Sequence, residues 1–101
     1  MKNPILILSL ICIFLTGCSS VSHGGYFWGK YSYTYHDLIK NPSEETRLNH
    51  EKTLRNIIQK SAEKEIRVPP GIHAELGNLL ADSDRVDEAI ANFETEMSIY
   101  P

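Results

Sequence analysis

Few side chains in this sequence combine a type and a spacing that could do chemistry. His50 stands beside Glu51 and near Glu45, a set that could suggest zinc. The usual i, i+4 histidine pair is absent, and no cysteine or second histidine lies within reach in sequence, so His50 reads as a surface histidine. His73 near Glu75, and the pair Asp82 and Asp84, are the only candidates for acid–base work. Two carboxylates in a tight turn are more simply a helix cap than an acid/base pair. His23 has no nearby partners. No Ser-His-Asp frame, phosphate loop or metal-ligand spacing is visible. The expectation is no catalytic residue, no metal and no cofactor bound in a pocket, so this chain is not expected to be an enzyme. The thiol of Cys18 is set apart by its context.

The chain that must position these groups has 101 residues, with 10 basic and 13 acidic side chains, a formal charge of −3 and 42% hydrophobic residues. That length allows one small domain. Lys2 is followed by Pro4 and then by the nearly unbroken apolar run Ile5–Leu15. Those 11 residues are too few to span a hydrocarbon layer, which takes about 20, but they fit the apolar core of a secretory signal. Loss of residues 1–17 would leave 84 residues with 9 basic and 13 acidic groups, net −4. Such a balance argues against nucleic acid, which needs a basic face. Cys12 would leave with the signal, so Cys18 would have no disulfide partner.

The apolar run ends in Leu15-Thr16-Gly17-Cys18, which resembles the lipobox of bacterial lipoproteins. The resemblance implies cleavage before Cys18, a thioether to diacylglycerol, and an N-acyl chain on the new amino terminus. Ser19 is compatible with transfer to the outer membrane by analogy with enterobacterial sorting, which places the protein at the periplasmic face. Each buried methylene contributes about 0.8 kcal/mol and a single chain holds only marginally, so two or three chains on one cysteine make a durable anchor. Residues 18–25, the lipidated cysteine and SSVSHGG, read as a flexible tether. Residues 26–101 form the domain.

Within that domain, residues 26–35 read YFWGKYSYTY, six of them aromatic. Tyr31, Tyr33 and Tyr35 alternate as in a strand, but Trp28, Tyr31, Tyr35, Leu38 and Ile39 recur at helical steps, and a helix over about 28–40 is expected. Trp28, Tyr31 and Tyr35 could serve core packing, a membrane-interface belt, or a glycan-stacking partner surface. Asn41-Pro42-Ser43-Glu44 predicts a second helix, with Asn41 as cap, Pro42 at the first turn and Glu44 as the capping-box carboxylate. Leu54, Ile57, Ile58, Ala62 and Ile66 mark its buried face. Glu51, Lys52, Arg55, Lys60, Glu63 and Lys64 mark a solvated one. The helix has no breaker before Pro69-Pro70.

From Pro70 onward, Leu76-Gly77-xx-Leu80, then Ala89, Phe93 and Pro101, keep the spacing of the helical-hairpin motif, and this unit resembles a tetratricopeptide repeat. Gly77 would let two helices approach, Leu76 and Leu80 would face the partner helix, Ala89 would sit at the crossing, Phe93 would plug the gap between repeats, and Pro101 would stop the last helix. Asp82-Ser83-Asp84-Arg85 would make the turn, its acids near the next helix's amino end. His73, Leu80 and Glu96 depart from the motif. The expected fold is all-α: three to four helices in tetratricopeptide-like antiparallel hairpins. About three repeats are usually needed to bury their apolar faces, so the expectation is that a partner or self-association covers the carboxy-terminal edge, or that the open frame is short. Seven acids against Arg85 after residue 68 would give that half an acidic surface.

Taken together, the lipobox, the YFWGKY element and PPGIHAELGNLL…DEAIANFETEMSIYP resemble a family of small bacterial lipoproteins of unknown function. Members of that family are often encoded beside a lipoprotein similar to the curli secretion channel and beside a second small lipoprotein. The resemblance implies a trio acting together at the outer membrane, and it carries no catalytic residues. The function expected is a small helical protein–protein interaction adaptor among envelope lipoproteins, held to the membrane by its lipid. The alternative is a peptidoglycan- or glycan-binding lipoprotein using residues 26–35.

Overall fold

A computed structural model describes residues 25–101. The signal segment, Cys18 and all of the tether but Gly25 lie outside the described residues. Four helices follow in order: α1 (Tyr31–Lys40), α2 (Glu44–Glu63), α3 (Ile72–Asp82) and α4 (Val86–Ile99). Among the described residues the fold is all-α. Each helix packs on its neighbours in the chain, α1 on α2, α2 on α3 and α3 on α4. The pairs that meet, Thr34 with His50, Arg47 with Ser83, and Ala74 with Glu96, show successive helices running antiparallel.

Helical periodicity prevails in the aromatic segment, but α1 begins at Tyr31, three residues later than the spacing predicts. Gly29 explains the delay. Its φ of +51° is left-handed, a region that glycine enters without the Cβ clash, and the Phe27 ring folds against it. The turn closes when Tyr31 N–H donates to Trp28 C=O at 3.0 Å.

The cap of α2 also differs from expectation. Ser43, not Asn41, is the N-cap: its Oγ accepts from Thr46 N–H at 3.1 Å, and Thr46 Oγ1 accepts from Ser43 N–H at 3.0 Å. Thr46 therefore supplies the reciprocal capping-box bond expected of Glu44. Asn41 instead closes α1, its N–H donating to Asp37 C=O. Glu44 and Glu45 remain in the first turn, where the helix dipole favours them.

α2 ends at Glu63, so Ile66 lies beyond the helix rather than on its apolar face. The chain leaves through a six-to-one bond from Ile66 N–H to Ser61 C=O, with Glu65 at φ +55°. α3 ends the same way, Arg85 N–H reaching Leu80 C=O and Asp84 at φ +61°. Both are Schellman closures with an acidic residue where glycine is usual.

The core consists of Leu54 and Ile57 from α2, Ile72, Leu76 and Leu80 from α3, and Ala89 from α4. α1 adds no fully buried apolar residue; its one buried residue is Thr34. It is held through Tyr31 and through polar contacts.

Candidate functional site

The α1–α2–α3 junction is a polar network. His50 is fully buried and stands on α2 one turn before Leu54, on the apolar stripe. The sequence reading of a surface histidine is corrected here. His50 Nδ1 lies 2.7 Å from Thr34 Oγ1 of α1, and Nε2 lies 2.5 Å from Glu75 Oε1 of α3. Tyr31 O–H donates to the other Glu75 oxygen at 2.6 Å. Burial alone would raise the Glu75 carboxyl, but the hydrogen bonds from His50 and Tyr31 together outweigh it and hold the group below its ordinary value. Glu75 is thus an acceptor only, and Nε2 carries the proton between them. Burial, and then the bond to Glu75, push the Tyr31 phenol well above its ordinary range.

Glu75, His50 and Thr34 stand in the order orienter, base and hydroxyl that activates nucleophiles. Thr34 is only 8% exposed and His50 not at all, so the hydroxyl is shielded from a substrate. The network pairs buried polar groups and ties α1 to the core. Glu75 does not pair with His73, whose Nδ1 lies 2.9 Å from Asn92 Oδ1 of α4. Among the described residues, no group of three histidine, cysteine or carboxylate side chains could hold a metal ion.

A second network takes Glu51 off the solvated face of α2, on which Lys52, Glu63 and Lys64 stay exposed. Glu51 is buried and accepts from both terminal nitrogens of Arg85, at 2.9 and 2.6 Å. Arg55 binds the same carboxylate, and its other arm reaches Glu88 at 2.8 Å. The Arg85 fork, against the opposing effect of burial and with help from Arg55, holds the Glu51 carboxyl below its ordinary value. The pairing links α2 to the α3–α4 hairpin.

The α3–α4 hairpin brings the motif residues together. Leu76, Gly77, Leu80 and Ala89 are buried at the crossing. The Phe93 ring lies directly over Gly77, so closely that a Cβ there would fall 2.5 Å from Phe93 Cε1. Pro101 follows the end of α4. The departures from the motif have physical uses. His73 pairs with Asn92, and Glu96 accepts from Gly71 N–H at 2.9 Å and from Ala74 N–H at 3.3 Å. A carboxylate on α4 thus caps the amino end of α3, whose N-cap Gly71 has no side chain. Asp82 and Asp84 cap nothing at α4; Asp87 and Glu88 occupy its first turn.

Trp28, Tyr31 and Tyr35 form one aromatic run that leads from the Gly29 turn onto α1. Trp28 meets Tyr31 edge-on at 5.3 Å, and Tyr31 stacks on Tyr35 at 5.6 Å. Tyr31 is committed inward through Glu75, while Trp28 and Tyr35 remain exposed. Tyr33, Ile39 and Leu48 are exposed as well, and a further exposed apolar stripe is on α4. Val86, Ile90 and Met97 are 53%, 48% and 63% exposed and follow Phe93 along one stripe, spaced four, three and four residues apart. Sequence reasoning missed this second stripe because attention fell on the face occupied by Ala89 and Phe93; the spacing of Val86, Ile90, Phe93 and Met97 carries the signal. Among the described residues, no helix is long and apolar enough to cross a membrane.

A family profile described as a domain of unknown function (DUF4810) matches residues 26–101. No curated protein and no solved structure matches the chain.

Proposed function

The chain belongs to the DUF4810 family, whose domain spans residues 26–101, and we propose that this member is a lipid-anchored adaptor that docks other envelope lipoproteins. One observation carries the docking role: the stripe Val86, Ile90 and Met97 on the last helix is exposed. Contiguous apolar stripes on a small domain mark places where another protein packs. A tetratricopeptide-like reading of the α3–α4 hairpin is supported by Phe93 over Gly77, and units of that kind offer the next helix such a face.

The anchor rests on Leu15-Thr16-Gly17-Cys18, and the acyl chains would hold the domain at the periplasmic face of the outer membrane. A second reading, glycan binding by the aromatic segment, is supported by the exposure of Trp28 and Tyr35.

Two experiments test the proposal. Radiolabelled palmitate should enter the wild type and be absent from Cys18→Ser. Partners co-purified from cross-linked envelopes should disappear with Ile90→Glu plus Met97→Glu, while the variant keeps its helical circular dichroism. Retention of the same partners by the folded double variant would remove the docking role from α4.

A further inference from the structure

A groove bearing two lysines lies beside α2, on residues that the α4 stripe does not include. Residues 27–30 run alongside α2, and between them is a groove of about 530 Å³ lined by Phe27, Gly29, Lys30, Lys52, Thr53 and Asn56. A third lysine, Lys64, places its ammonium 5.8 Å from the centre of the Phe27 ring. Arg47, Arg55, Lys60 and Arg85 are held by carboxylates; Lys30, Lys52 and Lys64, like Lys40 and Arg67, form no ion pair among the described residues. Glu63, next to Lys64 in the chain, pairs with Lys60 at 3.6 Å. Two unpaired lysines thus line the groove and a third stands against its Phe27 wall, in a chain whose formal charge is −3.

We propose that this groove binds a glycopeptide bearing free carboxylates. Lys30 and Lys52 would pair with the carboxylates as point charges. The exposed Asn56 amide and the Thr53 hydroxyl offer a donor and acceptors for peptide or sugar groups. The partly buried Phe27 ring supplies the apolar wall on which such sites orient a ligand. A like-charged cluster without acidic partners raises the local concentration of anions even on an acidic protein. The inference rests on the envelope location proposed above only for where such a ligand would be met. Binding in solution tests the groove whether or not Cys18 is acylated and whatever α4 docks.

The test is titration of the full chain, purified in neutral detergent, with four probes: a disaccharide-tetrapeptide muropeptide, uncharged chitotetraose, inorganic phosphate, and vesicles containing phosphatidylglycerol. Saturable binding of the muropeptide is expected, with none of chitotetraose. Lys30→Gln with Lys52→Gln should weaken muropeptide binding about tenfold, the size of two partly exposed charge pairs. The melting temperature should not change, and the corresponding arginine pair should retain binding. No muropeptide binding, or binding indifferent to the two lysines, overturns the proposal. Inorganic phosphate displacing the muropeptide at equal concentration reduces the site to a general anion patch and overturns the ligand class. Vesicle binding that needs the lysines without muropeptide binding assigns the groove to a lipid surface instead.

Discussion

Gly77 and Phe93 share one volume across the α3–α4 crossing: the phenyl ring occupies the space a side chain on Gly77 would need, with ring atoms 2.5, 2.8 and 2.9 Å from the ideal Cβ position. The hairpin therefore depends on a hydrogen at one position and a ring at the other. Gly77→Ala is expected to destabilise the domain by about 1–3 kcal/mol, the usual range for overpacking, despite the better helix propensity of alanine. Adding Phe93→Leu should recover part of the loss. Denaturant melts of the two single variants and the double variant check this; strict additivity would mean that the two positions do not meet.

Removal of the imidazole from the α1–α2–α3 junction leaves the Thr34 hydroxyl without its partner at 2.7 Å and the Glu75 carboxylate short of a donor. His50→Ala should cost about 2–3 kcal/mol. The damage should start in α1, whose only buried residue is Thr34. Hydrogen exchange should speed first over residues 31–40 while α3 keeps its protection. Equal loosening of all four helices would contradict a local latching role.

Acid should act through Glu51. Its carboxyl is held below the ordinary value of 4.5, chiefly by Arg85. A folded-state value lower than the unfolded one means that the carboxylate stabilises fully above the unfolded value and loses that contribution as pH falls through the folded one. Glu51→Gln should melt several degrees lower than wild type at pH 7. The gap should narrow once the pH drops below 4.5. A gap independent of pH would show that shape, rather than charge, sets the cost.

How far these contacts could be read beforehand varies from element to element. The helix breaks at Asn41-Pro42 and Pro69-Pro70 and the hairpin frame from Leu76 to Phe93 were legible because each has a local cause, a missing N–H or a repeating apolar step. His50 and Glu51 were misplaced because residue type was weighed above position. His50 continues the stripe of Leu54 and Ile57, a signal present in the spacing, and Glu51 is buried only because Arg85, 34 residues away, folds over it. No local pattern encodes that second fact. The sequence reading places the cap on Asn41 rather than Ser43 for another reason: the two residue types cap almost equally well, so type alone does not separate them. The local bond in which Thr46 Oγ1 donates to Asn41 C=O at 2.9 Å belongs to the arrangement that results.

Ser61 is fully buried on α2, and its hydroxyl oxygen has no hydrogen-bond partner. Ser61→Ala should therefore raise stability by about 1 kcal/mol or more. Part of any gain comes from helix propensity, so the exposed Ser32→Ala on α1 serves as the reference, expected to give about 0.5 kcal/mol. A gain at Ser61 no larger than that at Ser32 would show that the buried hydroxyl carries no desolvation cost.

The adaptor reading is tested most directly by a photo-activatable amino acid at Ile90, introduced into the full chain and irradiated in living cells. Because Ile90 is 48% exposed and lies on one helical stripe with the exposed Val86 and Met97, discrete adducts with envelope lipoproteins are expected from Ile90 and Met97. Glu63, on the exposed side of α2, should give none. Absence of adducts at Ile90 and Met97, or the same adducts from Glu63, would contradict docking through the last helix.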